Sequence, residues 1–194
     1  MLEIRHRATA IGRLEQPERE VIPDFVRVEL LVLQVRKILE LIALSSMVAN
    51  EKEYTRAYEK FEKHYHAKKI LHGIEKVNPD FYPKPGSQTK SKNEGVDHHI
   101  SFFHESDDSY LTRKDFVKVY EQCGGLLHAQ NPYSTHKDYA KYESNIHKWM
   151  KKIENLLNVH VIKLVDDKNY YLIHMNAGDG NPHGYILSPN KNGI

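Results

Sequence analysis

Residues 24–50 read DFVRVELLVLQVRKILELIALSSMVAN, a stretch without Pro or Gly in which apolar side chains fall on almost every face of a helix. A surface helix carries one apolar stripe, whereas a helix that is apolar all round is packed from several sides. The stretch therefore predicts the central helix of a mainly α fold. Pro23 precedes it, Asp24 is the candidate N-cap, and the end is expected at Met47 or slightly beyond, where Ser45, Ser46 and Asn50 suggest fraying or a turn. Its few charges are the informative residues. Glu29, Arg36 and Glu40 lie close to a single helical face. Charge in such a helix needs partners or an edge open to water.

The 194 residues, 40% hydrophobic and 28% charged, suit one globular domain or one domain with a small appendage. A net charge of +2 makes no strong electrostatic case for nucleic acid, although 13 His residues add positive charge below about pH 6.5. A single cysteine, Cys123, excludes an intramolecular disulfide framework and fits a reducing, cytoplasmic setting. Residues 1–20 lack the continuous apolar core of a signal peptide. Residues 24–50 are long enough to cross a bilayer. Arg27, Glu29, Arg36, Lys37 and Glu40 oppose insertion, at about 2.5–3.5 kcal/mol for each central charge, so no membrane role is expected.

Outward from the central helix, residues 1–22 form a polar, arginine-bearing N-terminal arm whose periodicity does not decide between helix and frayed terminus. A second helix is predicted over Glu51–Val77, where Tyr54, Tyr58, Phe61, Tyr65, Ile70 and Ile74 keep a 3–4 spacing until Asn78-Pro79. Residues 78–110 are irregular, with a tail in which Ile100, Phe102 and Phe103 could make a short strand or docking segment. Thr112 with Asp115 marks the N-terminus of a third helix ending at Asn131-Pro132, and a fourth spans His136–Asn158. Beyond it, VHVIKLV and YYLIHMN read as a β-hairpin with its turn at Asp166–Asn169, and GYILS as a third strand. The predicted architecture is a four-helix domain over 23–158, with an insertion at 78–110, followed by a three-stranded antiparallel β-meander over 159–194.

The densest constellation is YEQCGGLLHAQNPY, residues 120–133. Gly124-Gly125 inside a helix opposes it by roughly 1 kcal/mol per Gly relative to Ala, so a break or a close approach must explain the pair. His128 closes the helix where its protonated form would interact favourably with the macrodipole, although a capping or packing histidine is the bland alternative. His98, His99 and His104, with Asp97, Asp107 and Asp108, lack the spacing of a metal site, and no metal or cofactor is expected. His64, His66 and His72 belong to the polar side of the second helix. Cys123, on an apolar face, reads as a buried thiol. Gly-Asp-Gly-Asn-Pro-His-Gly at 178–184 lacks the Lys-Ser/Thr and following helix of a phosphate loop and reads as a turn. The lysines of the second and fourth helices could contact phosphates, but the interleaved Glu favours an ordinary solvated face.

The apolar central helix with VRKILELI, and a later helix ending in a single His, resemble the HEPN superfamily of prokaryotic helical domains over roughly residues 24–158. The resemblance implies a four-helix bundle, a homodimer with a composite active site, and metal-independent cleavage of RNA in toxin–antitoxin or anti-phage systems, with an antitoxin or other protein as a further partner. The family signature is Arg, four to six residues, then His. His128 takes the His position, and Gln122 stands where Arg is expected. Gln lacks the permanent charge and fork of a guanidinium. The resemblance thus implies His128 as proton-transfer group with Gln122, Asn131 and Arg36 as supporting polar groups, Arg36 replacing the missing cation or, alternatively, pairing with Glu29 or Glu40. Arg113 is about 23 Å from His128 along the helix and cannot substitute within one subunit. Tyr133 is near enough in sequence to assist His128. The other class of function implied is a non-catalytic dimerisation or binding module.

Overall fold

A computed structural model describes residues 1–16, 22–58, 66–90, 98–104, 108–133, 135–165 and 167–188. Its elements run α1 (Leu2–Leu14), α2 (Asp24–Ala49), α3 (Glu51–Ala57), α4 (Ala67–Val77), β1 (Lys84–Lys90), β2 (His98–Phe102), α5 (Arg113–Leu127), α6 (Tyr139–Leu157), β3 (Val159–Lys163), β4 (Tyr170–His174) and β5 (His183–Leu187). The fold is mainly helical with a small antiparallel sheet. None of the helices is long and apolar enough to cross a membrane among the described residues.

Helix α2 is the axis. Helices α1, α4, α5 and α6 all pack on it, and Val28, Leu31, Val35, Ile38, Leu39 and Ile42 are buried. Each such side chain contributes roughly 1.5–3 kcal/mol relative to exposure. One detail differs from expectation. Pro23, with no side-chain cap, holds the N-cap position, so Asp24 sits in the first turn and pairs with Arg27 at 3.5 Å. The helix ends slightly beyond Met47, at Ala49, with Asn50 in a turn, and Ser46 Oγ donates to the Ile42 carbonyl at 3.1 Å within it. The N-terminal arm contains α1, seated on α2 through buried Ile4 and Ile11 and through Arg7, which donates to Gln34 at 2.8 Å.

The continuous second helix is not formed. Tyr58 leaves α3 with extended backbone (φ −134°, ψ 115°), and His66 enters α4 from φ −81°, ψ 105°. A straight helix would separate residues 58 and 73 by about 23 Å. Instead the Tyr58 hydroxyl donates to the Gly73 carbonyl at 3.4 Å, and the Tyr54 ring lies on Gly73, where a Cβ would meet Tyr54 Oη at 2.9 Å. The tyrosines thus hold α3 beside α4 rather than in line with it. Phe61, Tyr65 and His64, assigned to this helix from sequence, lie outside the described residues.

The sheet has five strands where three were expected, in the order β2-β1-β3-β4-β5. The two extra strands come from residues 78–110. The tail did form a strand, β2, while β1 (KPGSQTK) carries no strand signal. Its pairing is divided: Lys84 and Pro85 face Val161 and His160 of β3, and Gly86–Lys90 pair with β2. The hairpin and third strand formed as predicted, although Asp166 of the turn lies outside the described residues.

Helices and sheet meet through buried polar groups. Asn78 Nδ2 donates to Asn50 Oδ1 at 2.7 Å and to the Lys163 carbonyl at 2.9 Å, tying the ends of α2 and α4 to β3. His160 on β3 is buried and its Nδ1 lies 2.8 Å from the Leu157 carbonyl, which makes Nδ1 the protonated nitrogen of the neutral ring. Burial, with a smaller effect of nearby His174, pushes its pKa down to about 4. Between about pH 6.5 and 4 the unfolded chain therefore binds a proton that the folded chain excludes, so stability falls as pH drops through that window. The loss approaches on the order of 3 kcal/mol at the acid end and is nil above neutrality. Urea unfolding at pH 7 and pH 4.5 is expected to show this extra loss in wild type and not in His160→Gln. Equal losses in both would contradict it.

Candidate functional site

Helix α5 starts where the sequence places it, with Thr112 Oγ1 accepting from the Asp115 N–H at 3.1 Å. It then runs through Gly124-Gly125 without a break. The reason is a side chain from α2. Arg36 Nη1 donates to the Tyr120 carbonyl at 3.2 Å and Nη2 to the Tyr120 hydroxyl at 2.8 Å, while the guanidinium carbon lies 4.0 Å from the Tyr120 ring centre. A Cβ at residue 124 would stand 2.7 Å from Arg36 Nη1. Gly124 is the gap into which the guanidinium fits. Arg36 Nε also faces Glu40 at 3.4 Å, and Glu40 accepts from Lys37 at 2.8 Å. Glu29 is engaged elsewhere, accepting from Tyr139 at 3.0 Å.

Tyr120 is the residue that the sequence reading passed over. Its hydroxyl receives Arg36, and the ring of His66, at the start of α4, meets its own ring edge-on at 5.4 Å. Burial raises its pKa, with Arg36 opposing the shift, so the phenol stays neutral. The available signal was Tyr120 lying four residues before Gly124, one helical turn away on the same face.

His128 is the C-cap of α5, exposed, with φ −72° and ψ 151°. It lies about 6 Å farther along the axis than Gly124, beyond the Arg36 contact. The chain around it is pinned. Lys137 Nζ donates to the Leu126 carbonyl at 2.6 Å and to the His128 carbonyl, satisfying acceptors that a helix end leaves open.

Gln122, Asn131 and Arg113 have other partners. Gln122 is about 200° round the helix from Tyr120, away from the Arg36 contact, and its carbonyl accepts from Tyr142 at 3.2 Å. Asn131 is exposed, and its Oδ1 accepts from the Tyr133 N–H at 3.0 Å, the pattern of an Asx turn. Arg113, at the other end of α5, pairs with Glu75. Cys123 is buried beside Arg36, and burial pushes its thiol up to about 12, so it remains protonated and inert.

Asp97 and Asp107 of the histidine-rich tail lie outside the described residues, and among the described residues no three His, Cys, Asp or Glu side chains converge as a metal site would require. The 178–184 segment is the expected turn. Gly180 takes φ +75°, and Asp179 faces His183 Nε2 at 3.0 Å. The Asn181 N–H and His183 hold the Asp179 carboxyl down at about 2.

Compared with protein-family models, with curated proteins and with solved structures, the chain matches none.

The two glycines separate the roles of space and propensity. At Gly125 an added methyl would meet only Tyr142 Oη, at 3.8 Å, so Gly125→Ala should raise stability by about 1 kcal/mol. Gly124→Ala gains the same propensity but displaces the guanidinium from its acceptors, and should lie on the order of 2 kcal/mol below Gly125→Ala. Denaturant unfolding measures both, and equal stabilisation would refute the docking role of Gly124.

Proposed function

We propose that this chain is a HEPN-like, RNA-directed protein acting as a metal-independent endoribonuclease of the toxin or phage-defence type, with His128 as the proton-transfer group and Arg36 as the cation replacing the family arginine. The observation that carries the reading is the docking of Arg36 on α5 at Gly124, one helical turn from the exposed His128. The sequence position that should hold Arg holds Gln122, and a guanidinium reaches the same helix from α2 instead.

The chemistry follows from the residue types. In RNA the 2′-OH attacks the neighbouring phosphorus, the bond to the 5′-oxygen breaks, and a 2′,3′-cyclic phosphate forms. Neutral His128 takes the 2′-OH proton, and solvent returns one to the leaving 5′-oxygen. Charge building on the phosphate oxygens calls for a fixed cation. A guanidinium has five N–H donors. Among the described residues Arg36 directs three of them at Glu40, the Tyr120 carbonyl and the Tyr120 hydroxyl, leaving one on each Nη. The homodimer that the resemblance implies would bring two such helix ends together, and an antitoxin-type protein would be the natural inhibitor of that face.

One observation favours a second reading. Glu40 and Tyr120 already satisfy much of Arg36, as in a structural pin, and Gln122 points to the other side of α5. The chain would then be a non-catalytic HEPN-like module that binds RNA or a partner protein. Incubating RNA with wild type and His128→Ala in EDTA decides between them. The nuclease reading expects cleavage to a cyclic phosphate and a loss of about 100-fold or more in the variant. RNA bound but uncleaved supports the module, and cleavage indifferent to His128 removes the proposed mechanism.

A further inference from the structure

Tyr133 is 97% exposed, the most exposed large apolar or aromatic side chain among the described residues. A single exposed aromatic is unremarkable by itself. What sets this one apart is the frame that holds it out. Its N–H is bound by Asn131 Oδ1 at 3.0 Å, Gln130 Nε2 donates to the carbonyls of Asn131 at 3.0 Å and Thr135 at 3.2 Å, and Lys137 clamps the carbonyls of Leu126 and His128. The polar side chains on either side are used to fix the backbone, and the one large ring is left in water. It lies five positions after His128, a reach of at most about 17 Å that the turn shortens.

We propose that Tyr133 is a stacking platform for an unpaired base of single-stranded RNA held at the His128 end of α5. The proposal rests on the RNA-directed reading above and adds the substrate class, strands or loops with unstacked bases rather than duplex. Aromatic rings recognise RNA in this way because every base has a π-face, whereas bases inside an A-form helix are already stacked on one another. Only two torsions need be fixed when a Tyr side chain is engaged, so a ring presented on a pinned turn loses little entropy on binding. The chain's net charge of +2 means that phosphate attraction alone supplies little affinity, which gives stacking a larger share.

The test uses His128→Ala as the parent, so that bound RNA survives, and a fluorescein-labelled single-stranded oligoribonucleotide carrying one 2-aminopurine as probe. The parent is expected to bind the strand, quench the 2-aminopurine, and prefer it to a duplex of the same sequence. Tyr133→Ala should weaken binding about 5- to 150-fold and abolish the quenching, the equivalent of about 1–3 kcal/mol per stacked base. Tyr133→Phe and Tyr133→Trp should stay within about twofold of the parent. With the ring in solvent, none of these changes disturbs the core. No single-stranded binding, equal affinity in Tyr133→Ala, or Tyr133→Phe behaving like Tyr133→Ala would each overturn the proposal, as would a Tyr133→Ala effect confined to self-association. His128-dependent cleavage with Tyr133→Ala unimpaired would sink this inference and leave the nuclease reading standing. Tyr133-dependent binding without cleavage would do the reverse.

Discussion

An arginine in a helix packed on several sides is a liability until its donors are met, and the way Arg36 is met organises the helical half of the molecule. Its guanidinium reaches from α2 across to α5, lies against the Tyr120 ring and bonds both the hydroxyl and the carbonyl of that residue. The ring of His66, at the start of α4, meets the Tyr120 ring edge-on. Three helices are thereby fixed around one charged group. Glycine at 124 is the condition for the fit, and the entropic penalty of glycine in a helix is offset by the contact that it permits. The interaction also places a permanent cation one turn from His128. Stability and the proposed chemistry draw on the same residue.

The sheet depends on a different device. It is joined to the bundle by a short chain of satisfied amides, Ser46 to Asn50 to Asn78 to Lys163, and by a neutral buried histidine. Buried polar groups of this kind specify one docking geometry because any slip leaves a donor or acceptor unpaired. Removing water from His160 makes the junction sensitive to acid.

What could be read from the sequence, and what could not, divides by the range of the interaction. The all-round apolar pattern of 24–50, the Thr112 cap, the two strand-like runs around a turn in the C-terminal hairpin and the burial of Cys123 are local signals, and each has its counterpart in the structure. The break between α3 and α4 was hidden because Tyr54 and Tyr58 keep helical spacing while their rings serve a neighbour rather than a continuing helix. Strand β1 was hidden because a run with Pro85 and Gly86 becomes a strand only through partners distant in sequence. Arg36 was legible as a partner of Glu29 or Glu40, and the Gly pair as calling for a break or a close approach. That the two clues were one contact required Tyr120, which no local pattern ties to Arg36. The four-helix HEPN arrangement and the dimer belong to the proposal.

A double-mutant cycle between Arg36→Met and Tyr120→Phe, read by denaturant unfolding, tests the central contact most directly. Each substitution keeps apolar bulk and removes one side of the bond between guanidinium and phenol. The account predicts a coupling of about 1 kcal/mol or more, because a hydrogen bond to a charged group is lost only once in the double variant. Effects that add to within about 0.3 kcal/mol would mean that Arg36 does not depend on Tyr120, and would contradict it.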